Sequence, residues 1–192
     1  MNRYNLLPIL LLFSITTHSQ ISWVMEEERK EDRWTIESDE IFVISSVNGN
    51  NSHGDRLRVF LSPSDDCEYA LLATTFHTTS KAPDLPYLKD VPVTIELYGG
   101  QLGAMIDFVH PLVGSHVAWV SIWQGQTTDM KEVFTVMNEE TDEFEFEVVS
   151  TENFQVERYL DLPANRWSLD GSMESLEKAE FLCKRIAADT FL

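Results

Sequence analysis

Two cysteines, Cys67 and Cys183, stand 116 positions apart in a chain of 192 residues that holds no others. A catalytic or metal-binding thiol pair would call for a C-x-x-C spacing or a histidine beside each sulfur, and neither is present. A count of two leaves one intramolecular pairing, so the chemistry predicted here is a Cys67–Cys183 disulfide. Acid–base chemistry has one candidate, Asp107 with His110 and His116 around the turn Pro111-Leu112-Val113-Gly114-Ser115. The spacing is poor for it: positions 107 and 110 of a regular strand point to opposite faces, and H-x5-H matches no structural zinc pattern. The histidines read as exposed loop residues. No G-x-S-x-G elbow supplies a hydrolase nucleophile.

The segment from Asn48 to Asp55 is rich in oxygen donors, as is Asp65-Asp66, which makes calcium the cation to weigh. It lacks the glycine and the bidentate acid of an EF-hand loop and reads as an ordinary Asn/Gly turn. Neither a metal nor another cofactor is expected.

Between Asp129 and Glu147 the chain places eight acids against a single base, Lys131. Alternation in FEFEVV sends Phe144, Phe146 and Val148 inward and Glu145 and Glu147 outward. Glu139, Glu140, Asp142, Glu143, Glu145 and Glu147 are therefore the predicted partner-binding residues, suited to a protein with a basic surface. Composition agrees, since 14 Lys and Arg against 32 Asp and Glu give a net charge of −18. Such a chain is repelled by nucleic-acid backbones and anionic membranes. Trp119 and Trp123, four apart in HVAWVSIW, are expected to share one face and to lie in the core.

These residues need elements to hold them. Short runs with period-two alternation, rich in Val, Ile, Thr and aromatics, fall at 34–47, 56–62, 68–76, 91–98, 103–109, 116–123, 132–137, 144–149, 154–160 and 165–169. Gly99-Gly100 suits a tight hairpin between two of them. Strands so closely spaced, without helices between, predict a mainly β fold, an antiparallel β-sandwich or barrel-like domain. The period then changes: Met173, Leu176, Ala179, Leu182, Cys183, Ile186 and Ala187 share one side of a predicted C-terminal helix over 172–187. Cys183 lies within that stripe, so the disulfide would hold the helix to the start of a strand.

Residues 1–19 carry Arg3, an apolar run and the small residues Thr17 and Ser19, the pattern of an export signal cut before Gln20. The apolar run is too short to span a bilayer. A charged lead at 20–33 and one β-rich domain at 34–192 complete the expected organisation. Export also supplies the oxidising compartment a disulfide requires.

The C-terminal run Trp167-Ser168-Leu169-Asp170-Gly171-Ser172, leading into Leu176, Ala179 and Cys183, resembles the ending of small exported bacterial domains. Examples are the periplasmic accessory proteins of type VI secretion and the invasion-associated locus B family. The resemblance implies a sandwich-like, non-enzymatic protein whose late cysteine is disulfide-bonded. The function expected is thus a periplasmic or secreted binding or accessory module of a bacterial envelope or secretion system, recognising a basic or neutral protein partner. The alternative is an enzyme acting on a cationic or neutral substrate near Asp107, His110 and His116.

Overall fold

The computed structural model describes residues 34–39, 41–51 and 55–190, so the expected leader at 1–19 and lead at 20–33 lie outside it. Nine strands follow in order: β1 (Thr35–Ser38), β2 (Val43–Asn48), β3 (Arg56–Leu61), β4 (Tyr69–Thr78), β5 (Lys89–Leu97), β6 (Gly100–Leu112), β7 (Ser115–Gln126), β8 (Glu143–Val149) and β9 (Ala164–Ser168). They form one antiparallel sheet ordered β1-β2-β3-β4-β7-β6-β5-β8-β9. Of the two predicted β architectures, a single continuous sheet is the barrel-like one.

Ring contacts show how far the sheet curls. Phe76 on β4 and Phe146 on β8 are four strand spacings apart in sheet order, about 19 Å if the sheet were flat. Their centroids lie 5.8 Å apart, edge to face, and Phe146 stacks on Trp167 of β9 at 5.2 Å. The sheet is therefore a half-barrel whose inward-facing residues form the core. At its seam, Asn50 N donates to Arg166 O and Trp34 Nε1 donates to Ser168 O. Both acceptors are carbonyls of β9, an edge strand, so these two positions of that edge are already paired.

Helices fill the concave side. α3 (Ser172–Thr190) buries Leu176, Ala179, Cys183 and Ala187, the stripe anticipated from periodicity, and extends it by about one turn. Ser175 of α3 shares a 2.8 Å hydrogen bond with Ser45, an inward residue of β2. Cys67, just before β4, is bonded to Cys183 as predicted. No helix among the described residues is long and apolar enough to cross a membrane, which leaves β-barrel insertion unaddressed.

Two predicted strands are helical. Residues 132–137 lie within α1 (Thr127–Glu140), whose buried positions Thr127, Met130 and Phe134 have helical spacing. The exposed Val133 and Val136 counterfeited a strand alternation in the sequence. Residues 154–160 contain the single-turn helix α2 (Val156–Tyr159). The run at 34–47 is also broken, into β1 and β2.

Candidate functional site

The FEFEVV strand sits as alternation requires: Phe144, Phe146 and Val148 are buried, Glu145 and Glu147 exposed. Pairing with β5 adds an acid that local sequence could not place there, because Glu96 lies directly opposite Glu147. Like charges opposed across a ladder are destabilising. Among the described residues none of Glu96, Glu145 and Glu147 has an ion-pair partner: Arg166, opposite Glu145 on β9, turns instead to Glu143 at 3.5 Å and Asn51 at 3.4 Å. These carboxylates line a shallow depression with Tyr98, Gly99 and Ala164.

Tyr98 is placed there by the hairpin. The turn between β5 and β6 is Tyr98-Gly99 rather than the predicted Gly99-Gly100, with Leu97 paired to Gly100. Both turn residues are left-handed, φ 49° and 74°, the requirement of a type I′ turn. A tyrosine is an uncommon occupant of that region. Its hydroxyl donates to Glu143 O at 2.8 Å, which lays the ring along the acidic strand.

The remaining predicted acids do not extend this surface as one unpaired face. Glu143 accepts from Asn50 Nδ2 and faces Arg166. Glu139 and Glu140 occupy the last turn of α1, where the helix dipole disfavours negative charge, and Asp142 borders a separate depression with Asn138, Asp170, Met173 and Glu174.

Asp107, His110 and His116 are not brought together. A bulge between Ile106 and Phe108 makes Asp107 an extra residue, and its Oδ2 accepts from Ser121 Oγ at 2.5 Å on the outer face. His110, next to the inward Val109, also faces outward, so the bulge overturns the expected opposition of these two. His116 pairs with Thr78 and shares the inner face with Ala118. A second bulge separates the tryptophans: Leu72 pairs with Trp123 and Ala73 with Ser121, so Ile122 is the extra residue. Trp123 packs on the core while Trp119 stands on the outer face, against the expectation that both were core.

Sequence reading missed a buried cluster at the seam. Asp55, 1% exposed, accepts from His77 N at 2.8 Å, lies 2.9 Å from His77 Nδ1, and accepts from Asn165 Nδ2 at 3.2 Å. Desolvation raises its pKa, opposed by its hydrogen bonds to His77. A carboxylate orienting an imidazole is an acid–base arrangement, but no described serine or cysteine side chain hydrogen-bonds this ring, and Asn165 binds the pair into the seam. Because the folded pKa lies above the unfolded one, the stabilising contribution of protonated Asp55 is complete below the unfolded value near 4 and is lost as pH rises through the folded value. Asp55→Asn should remove that dependence. Urea midpoints of the two proteins at stepped pH should show the parent losing ground relative to the variant as pH rises across this window.

Comparison with protein-family models, with curated proteins and with solved structures finds no match to this chain. The disulfide fits an oxidising, extracytoplasmic setting.

Proposed function

We propose that this protein is an exported, non-enzymatic binding module, periplasmic or secreted, that docks a basic protein partner on the outer face of β5 and β8. The observation that carries the reading is the register pairing of Glu96 with Glu147, next to Glu145, with no counter-ion among the described residues. Opposed carboxylates weaken the ladder they sit on, and a lysine or arginine from a partner reverses that repulsion. Tyr98 gives the cation an aromatic face beside the acids. The accessory-module role suggested by the C-terminal resemblance is compatible with such a surface.

Hexalysine serves as a probe. In backbone amide titrations of the oxidised protein at low salt it should shift residues around Glu96, Tyr98, Glu145 and Glu147, with hexaglutamate giving none of these shifts. The Glu145→Lys/Glu147→Lys double variant should fold normally, both side chains being exposed, and bind roughly tenfold or more weakly, the difference shrinking at 0.3 M salt. Equal binding by the variant, or shifts centred on Glu139, Glu140 and Asp142, would remove the β5–β8 face as the site.

A further inference from the structure

The outer face of the sheet from β2 to β6 has a different chemistry. Four rings from four strands or their ends follow one another across it: Phe42 to Phe60 at 5.7 Å, Phe60 to Trp119 at 6.2 Å, and Trp119 stacked on Phe108 at 5.6 Å. Phe42 is 37%, Met105 40% and Phe108 45% exposed, so the ladder is open to solvent. Apolar rings gathered on one outer face are a poor use of surface unless something covers them.

Arg58 lies at the centre of this ladder, its guanidinium 4.7 Å from the Trp119 ring centre. One nitrogen, Nη1, donates to Arg56 O at 3.3 Å and Thr75 Oγ1 at 3.2 Å. The other edge of the fork has no acceptor among the described residues, and no described carboxylate is within ion-pair distance of it. The nearest acids are committed elsewhere, Glu37 to Arg56 and Asp55 to His77 and Asn165. Burial and the neighbouring Arg56 lower the Arg58 pKa to about 10. In a chain with more than twice as many acids as bases, an arginine held half out of water with no ion-pair partner among the described residues is conspicuous.

We propose that this face docks a partner protein presenting a carboxylate beside an apolar side chain, the carboxylate closing on the free edge of Arg58 and the apolar group lying on Phe60, Trp119 and Phe108. Charge complementarity selects an acidic contact, because a guanidinium already stripped of water on its indole side gains more from a carboxylate than a fully hydrated one does. Tryptophan, arginine and neighbouring rings around a dry centre also match the composition of interface hot spots. A sugar polymer fits less well. Three of the four rings are phenylalanines, and the nearby polar groups are engaged with one another: Ser121 with Asp107, Arg56 with Glu37 and Asn48. This surface is independent of the acidic one and opposite to it in charge, so the module would join two unlike partners.

The test uses the oxidised protein and three probes: a capped peptide with one glutamate between two phenylalanines, its counterpart with lysine for glutamate, and cellohexaose. The glutamate peptide should shift the Trp119 indole N–H and the Arg58 Nε–H resonances, with at least tenfold weaker binding by the lysine peptide. Arg58→Gln and Phe108→Ser should each weaken it about tenfold, and Arg58→Lys nearly as much, since lysine keeps the charge but not the planar stack. Hexalysine should leave the Trp119 indole and Arg58 Nε–H resonances in place, which separates this face from the acidic site. Equal binding of the two peptides would reduce the face to nonspecific apolar adhesion. A stronger response to cellohexaose would make it a glycan platform, and no Trp119 response to any probe would exclude docking there; each result overturns the proposal.

Discussion

Replacing Cys183 with serine in the oxidised protein is expected to lower its stability by about 4 kcal/mol, the largest loss from any single substitution considered for this chain. The bond closes a loop of 116 positions, and the chain-entropy estimate for loops of that length is about 4–5 kcal/mol. Domains of this size are stable by only about 5–15 kcal/mol, so the restraint this one bond places on the unfolded chain is a large share of the total. Both sulfurs are buried, and Thr127 Oγ1 at the start of α1 donates to Cys67 O, so loss of the bond also loosens the junction of α1 with β4. Cys67→Ser should match Cys183→Ser within about 1 kcal/mol, and the double variant should be little worse than either, because one bond is removed in all three. Urea unfolding with and without reductant measures this, and reduced parent should coincide with the variants. Single losses that simply add would mean that the cysteines act as separate core residues.

What local sequence determines is legible before folding, and what depends on register is not. FEFEVV announces its own inside and outside because a strand alternates, and the stripe from Met173 to Ala187 announces α3 because a helix repeats every 3.6 residues. The disulfide needed only a count of cysteines. The relations of Asp107 to His110 and of Trp119 to Trp123 were misread for one shared reason: a single extra residue between them, at Asp107 or at Ile122, reverses the face of the residues beyond it. Glu96 was invisible as a site residue because its partner Glu147 is 51 positions away, and nothing in either strand states that they pair. Arg58 reads as one more surface base until Trp119 is known to face outward. For α1 the signal was present in Thr127, Met130 and Phe134 but was masked by the β-branched, solvent-facing Val133 and Val136.

The seam is where long-range information is densest, and removing its central carboxylate is expected to have the second-largest effect. Asp55→Ala leaves His77 N, His77 Nδ1 and Asn165 Nδ2 without their acceptor in a site that is buried except at the His77 ring. Stranded buried donors cost about 1–3 kcal/mol each where water cannot reach them, so a loss of about 2–4 kcal/mol is expected, allowing for the partial exposure of His77. Asp55→Asn keeps the shape and one acceptor and should lose less than half as much. Gly49→Ala reaches the same seam by a different route. A β-carbon there would lie 2.4 Å from Asn165 Nδ2, and Asn165 cannot retreat, since its Oδ1 accepts from Asn51 N and Arg166 N. The approach of the β2–β3 connection to β9 therefore requires glycine at this point. If these contacts close the half-barrel as one unit, Asp55→Ala and Asn165→Ala should be strongly non-additive, with a coupling of about 1–3 kcal/mol, while either should add simply to the loss of the disulfide. Amide exchange should report the same division, the β9 amides losing protection in Asp55→Ala and the α3 amides in Cys183→Ser. Independent, additive losses at Asp55 and Asn165 would mean that the curl is maintained by the core rings Phe76, Phe146 and Trp167 alone and that the polar seam follows from it.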